Sequence, residues 1–163
     1  ATVDEAGRAL GDTIRLGPIK VAVPPAPPPA GAPLARFEQG IDLVEAALPD
    51  RPVIAGRPTT VELRWRATAR PERDLTVFVH LRDAAGQVVA QDDRQPADRG
   101  YPTSIWDAGE QVADPHPLAP PPGRYRVFVG LYDAATLKRL PRADGGGDSV
   151  EVGIVDARAA VRG

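Results

Sequence analysis

The 163-residue chain contains no cysteine, no methionine and no asparagine. Without cysteine there is no disulfide, no thiolate nucleophile and no sulfur-ligated metal. Without asparagine there is no acceptor for N-glycosylation. The missing methionine includes an initiator, so the chain is expected to be a processed product or a piece of something larger. Lysine is scarce too: Lys20 and Lys138 stand alone, and the remaining positive charge is arginine. With abundant alanine and proline, this is the residue usage of a GC-rich bacterial genome, and it also suits a thermophile that avoids heat-labile residues. Excess charge of either sign is absent as well, since 20 basic residues face 22 acidic ones for a net charge of −2. A nucleic-acid or anionic-membrane surface needs a basic excess on at least one face, so neither partner is expected. No stretch approaches the ~20 apolar residues of a membrane span, and no signal peptide is visible, so this segment is not expected to insert in a membrane.

What the chain does have is punctuation. Its 19 prolines and 16 glycines break helices and favour short strands joined by turns. Alternation of apolar and polar residues predicts strands at 14–23, 36–47, 59–69, 75–81, 87–92, 110–113, 124–132, 137–140 and 149–155. The clearest is 59–69, where Val61, Leu63, Trp65 and Ala67 alternate with Glu62, Arg64, Arg66 and Thr68. The proline run at 24–29 lacks backbone donors and reads as a polyproline II spacer. Residues 1–34 are therefore expected to form an N-terminal strand and connector, 35–156 the core, and 157–163 a tail. Eight or nine short strands and no long helix predict an all-β, antiparallel two-sheet sandwich of the immunoglobulin-like kind, without the Cys…Trp…Cys signature of antibody domains.

The segment Val77-Phe78-Val79-His80-Leu81-Arg82-Asp83-Ala84-Ala85 recurs as Val127-Phe128-Val129-Gly130-Leu131-Tyr132-Asp133-Ala134-Ala135. Each copy is a strand running into a turn opened by an aspartate that caps nearby backbone N–H groups. Two similar hairpins are expected, with Gly86 in the left-handed position of the first, and with Phe78 and Phe128 on equivalent faces. The echo arises from an ancestral duplication or from the same strand-turn chemistry used twice.

Catalytic patterns are missing. His80 alternates with the apolar side of its strand and reads as a surface or rim residue, and His116 sits between two prolines. Ser104 and Ser149 have no nucleophile-elbow context, and there is no phosphate loop, dinucleotide fingerprint or EF-hand. The densest chemistry lies between Asp92 and Asp114. Two carboxylates there could act across a cleft on a glycosidic bond. Asp92, Asp93, Asp107, Glu110 and Asp114 could ligate a structural calcium ion, no other cofactor being expected. Tyr101 and Trp106 could stack on a sugar face. In the simplest reading, Trp106 closes one end of the sandwich while the aspartates build turns.

These residues also carry a resemblance. Asp93, Pro96, Gly100-Tyr101-Pro102-Thr103, Trp106, Gly109-Glu110, Val112 and Asp114 are followed by Pro122-Gly123-Arg124-Tyr125 and Val129-Gly130-Leu131-Tyr132-Asp133. With Leu63-Arg64-Trp65 and the strand at 77–81, the set resembles the C-terminal extracytoplasmic β-sandwich of bacterial multi-spanning membrane glycosyltransferases, the lipid-linked-sugar mannosyltransferase-like enzymes abundant in Chloroflexi. The likeness spans roughly residues 37–140. It implies a non-catalytic accessory domain outside the cytoplasmic membrane, tethered through its parent protein and binding glycan or the parent's membrane domain. Transfer chemistry would belong to that membrane domain, so no catalytic residue carries over. Pro115, directly after Asp114, departs from the pattern and is expected to shorten that edge strand. A free-standing carbohydrate-binding module and a structural or adhesive immunoglobulin-like surface domain are the alternatives.

Overall fold

The computed structural model describes Lys20, Pro27 and residues 31–161. The strand expected at 14–23 and the connector at 24–29 lie outside the described residues, apart from Lys20 and Pro27. Nine strands follow: β1 (Ala35–Phe37), β2 (Ile41–Ala47), β3 (Val53–Ile54), β4 (Thr59–Ala67), β5 (Leu75–Arg82), β6 (Val88–Arg94), β7 (Gln111–Leu118), β8 (Gly123–Asp133) and β9 (Val150–Arg158). They form a four-stranded sheet in the order β1-β2-β4-β7 and a five-stranded sheet in the order β3-β9-β8-β5-β6. The chain changes sheet after β2, β3, β4, β6 and β7, which is the crossed wiring of an immunoglobulin-like sandwich. Among the described residues, every pairing is antiparallel except β3 with β9. Among the described residues, no helix is long and apolar enough to cross a membrane.

Alternation sets the inner faces. Val61, Leu63, Trp65 and Ala67 of β4 meet Val77, Val79 and Leu81 of β5 and Val127, Val129 and Leu131 of β8 in one core. Trp65 is fully buried, and the Phe37 ring stands edge-on to it with centroids 6.0 Å apart. The single strand expected at 36–47 is a hairpin, because Gln39 and Gly40 take left-handed backbone (φ 59° and 70°) and fold β2 back on β1. The inward parity of Phe37, Ile41 and Leu43 is the same in either arrangement. β9 runs to Arg158, two residues into the expected tail.

Pro115 does not shorten β7, which continues through both Pro115 and Pro117 to Leu118. As the edge of its sheet, β7 tolerates missing N–H groups on its free side. The echoed aspartates behave alike: Asp83 accepts from the N–H groups of Ala85 and Gln87, and Asp133 from those of Ala135 and Thr136. Their hairpins differ. The first is complete, with Gly86 left-handed as expected (φ 81°). The second is one residue longer and dwindles to an isolated bridge between Tyr132 and Arg139.

The Pro-Gly-x-Tyr motif is a tyrosine corner. The Tyr125 hydroxyl turns back to the carbonyls of Pro121 (3.1 Å) and Pro122 (2.9 Å) at the entry to β8. Gly123 permits this, since a Cβ there would lie 2.4 Å from the hydroxyl. Tyr125→Phe is expected to lose about 1 kcal/mol, read as a lower urea midpoint at unchanged slope.

Candidate functional site

The long connection from β6 to β7 closes one end of the sandwich. Trp106 is fully buried there and donates through Nε1 to the carbonyl of Tyr101 (3.1 Å). Buried Thr103 receives the N–H of Leu75 (2.9 Å) and donates to the carbonyl of Arg73 (2.6 Å), tying the segment to the start of β5. The Tyr101 hydroxyl donates to Glu110, both of whose oxygens lie 3.0 Å away, and Glu110 accepts the N–H of Asp107 (2.8 Å). The sugar-stacking platform expected of Tyr101 and Trp106 is therefore not formed. One ring is enclosed by the core, and the other is half-buried with its hydroxyl committed.

The five carboxylates considered for calcium are distributed over three places. Asp107 pairs with Lys20 and Arg70, and its carboxyl is held below the usual range by Lys20 and then Arg70. Glu110 lies 3.1 Å from the Lys20 ammonium. Asp92 and Asp114 bracket His116, and Asp93 faces His80 on the opposite side of the sheet. Among the described residues, no three His, Asp or Glu side chains converge on one ion.

His116 stands at the centre of a polar clasp between the sheets. Its Nε2 is 2.8 Å from Asp114 on β7, and its Nδ1 is 2.8 Å from Asp92 on β6. Asp114 also accepts from Trp65 Nε1 of β4 (2.9 Å) and from the N–H of Ala97 (3.0 Å). Arg94 holds the other oxygen of Asp92 and reaches Asp98. His116 and Asp114 have no solvent exposure at all, so this constellation joins the two edge strands rather than meeting a ligand.

The outer face of the five-stranded sheet is different. Residues pointing away from the core of an antiparallel sandwich are ordinarily solvated. Yet Thr76, Phe78 and His80 of β5 are 7%, 0% and 8% exposed. The alternation that placed His80 on the outward face is correct, and its position at the surface or rim is not: neighbouring side chains cover it. Phe78 crosses over Gly130 of β8, where a Cβ would come within 2.4 Å of its ring. The His80 ring is tilted against Phe78 at 4.6 Å, Tyr132 stacks on Phe78 at 6.4 Å, and the Arg139 guanidinium lies 4.6 Å above the Phe78 ring.

These groups surround a cleft of about 250 Å³ lined by Phe78, His80, Asp93, Tyr132, Leu137 and Arg139. His80 Nε2 meets Asp93 at 3.1 Å, while its buried Nδ1 has no hydrogen-bond partner among the described residues. Burial pushes the imidazole below its ordinary value, against the opposing pull of Asp93 and helped by the nearby charges of Arg139 and Arg82. The folded chain therefore takes up fewer protons than the unfolded one as pH falls below 6.5. This disfavours the fold on acidification and has no effect at higher pH. Tyr132 is raised, first by burial and then by the charge of Asp93. Leu137 stands on the rim, 74% exposed and in left-handed backbone (φ 59°). A non-glycine residue in that conformation costs roughly 1–2 kcal/mol.

Of these residues, sequence reasoning selected Asp93 alone, and for a different role. One signal was present. The two echoed segments differ only at His80/Gly130 and Arg82/Tyr132. Three of those four residues build the cleft or clear space for Phe78. The chain matches no protein-family model and no curated protein.

Proposed function

We propose that the chain is a non-catalytic accessory domain of a bacterial membrane glycosyltransferase, held outside the cytoplasmic membrane by its parent, and that it binds glycan in the cleft on the outer face of the five-stranded sheet. The observation that carries this reading is the make-up of the cleft. Carboxylate, imidazole and phenol groups sit beside the Tyr132 ring and the exposed Leu137, with the Phe78 ring behind them under the Arg139 guanidinium. A sugar ring is matched to such a wall, because it has an apolar C–H face and an edge of hydroxyls. At about 250 Å³ the cleft suits one ring rather than a drug-sized ligand of roughly 300–1,000 Å³. The glycosyltransferase context is supported by the Gly-Tyr-Pro-Thr…Trp-x-x-Gly-Glu and Pro-Gly-x-Tyr resemblance.

Titration with short oligosaccharides, followed through backbone amide shifts, is expected to move Phe78, His80, Asp93, Tyr132 and Leu137 together. His80→Ala should weaken binding by about tenfold, the loss of one well-made polar contact. Shifts confined to Tyr101 and Glu110, or no shifts at all, would overturn the cleft as the glycan site. The parent's full reading frame is expected to encode several apolar spans ahead of Ala1, and a frame without them removes the glycosyltransferase context.

A further inference from the structure

The groups left open in the cleft share one property: they accept. Asp93, when ionised, is acceptor-only. Because burial keeps His80 neutral and its Nε2–H points to Asp93, Nδ1 is a bare lone pair, and it has no partner among the described residues. The outer face of Phe78 is negative by virtue of the ring quadrupole, and Tyr132 extends that surface. Among the described residues that line the cleft, the one cation is Arg139. It lays its guanidinium over Phe78 and is otherwise held by a contact of 3.3 Å to Asp148, beyond the usual hydrogen-bond range. Its side chain is 37% exposed, so it can swing into solvent and uncover both Phe78 and His80.

Resting on the reading of this cleft as a glycan site, we propose that the ligand is an amino sugar, bound as its ammonium ion over Phe78 and beside Asp93 in the place Arg139 occupies. The ammonium replaces the guanidinium on the aromatic face and donates to Asp93, while a ring hydroxyl donates to His80 Nδ1. A neutral sugar brings the hydroxyl without the charge. A uronic acid sets a carboxylate against Asp93 and is rejected. The charged and titratable groups around His80 are Asp93 on β6, Arg82 on its own strand, Tyr132 on β8 and Arg139 on the following turn. Protonation of His80 removes the acceptor and adds a positive charge, so affinity falls on acidification, at a pH lower than an ordinary imidazole would set.

The test is calorimetry and amide-shift titration of the chain at neutral pH with glucosamine, N-acetylglucosamine and glucuronate. Glucosamine is expected to bind about tenfold more tightly than N-acetylglucosamine, the scale of one partly desolvated cation–π contact with a carboxylate beside it. Arg139→Ala should hold or tighten that affinity, and Asp93→Asn should abolish the preference without moving the thermal midpoint by more than a few degrees. Should Asp93→Asn unfold the chain, the pH profile of the unaltered chain reads the same chemistry. N-acetylglucosamine or glucuronate binding as tightly as glucosamine at these residues overturns the amino-sugar assignment and leaves the glycan reading standing. Loss of binding in Arg139→Ala overturns it as well, since Arg139 would then be a recognition group. No shift at residues 78–80, 93 and 130–139 with any of the three sugars or with oligosaccharides overturns both.

Discussion

Replacing Asp114 with alanine is expected to lower the unfolding free energy by about 3–5 kcal/mol, the cost of breaking a fully buried charge network. Three groups meet this carboxylate: the N–H groups of Trp65 Nε1 and Ala97 donate to it, and His116 Nε2 lies 2.8 Å away. Alanine leaves an indole N–H unpaired in the core and His116 with Asp92 as its remaining partner. It also releases the turn that follows β6. Ala97, Asp98 and Arg99 are consecutive non-glycine residues in left-handed backbone (φ 53°, 53° and 66°), each disfavoured by roughly 1–2 kcal/mol. That turn persists because Asp114 anchors Ala97 and Arg94 anchors Asp98. Asp114→Asn, which keeps the shape and can still accept from Trp65, should lie between alanine and the natural chain. Urea unfolding gives the number. A loss under about 1 kcal/mol for alanine, the level of an exposed pair, would mean that the clasp does not couple the sheets.

Trp106→Ala is expected to cost a similar 3–5 kcal/mol, as large aromatic truncations in cores do. The ring is fully enclosed at the end of the sandwich, and its N–H holds the Tyr101 carbonyl. Its removal opens a cavity beneath a segment whose other anchors, Thr103 and Glu110, depend on that closure. Sugar titration separates this role from a stacking role. A structural tryptophan changes the melting midpoint and leaves the affinity of the folded fraction nearly untouched. A stacking tryptophan does the reverse. Trp106→Phe, which keeps the apolar bulk and loses the N–H, should cost about 1–3 kcal/mol.

Much of the fold was legible because strand alternation is a local property. The inward parity of β4, β5 and β8 and the aspartate-opened turns follow from residues a few positions apart. The hairpin of β1 and β2 was not, since a three-residue turn preserves the parity of a continuous strand. β3 is two residues long and has no pattern to read. For the carboxylates the limit was of another kind. Asp92 and Asp93 are adjacent in sequence, and a strand sends adjacent side chains to opposite faces. One turns inward to His116 and the other outward to His80, which keeps them from sharing an ion. That separation could be inferred from period-two geometry alone. Their partners could not, because His116 is 24 residues from Asp92 and on the other sheet.

By itself the sequence determined that the chain is an all-β sandwich, since the longer strands carry their own alternation and most turns between them their own glycine, proline or aspartate. Its missing cysteine likewise settled that no disulfide helps to hold that sandwich. Only the tertiary structure decided which outward residues would be covered. Burial of His80 requires Phe78 to lie across Gly130 and Arg139 to fold back from a turn nearly sixty residues away. A cleft of this kind is made by side chains from three strands and a turn meeting on one face, and such contacts belong to the packing of the sheet rather than to any single stretch of chain.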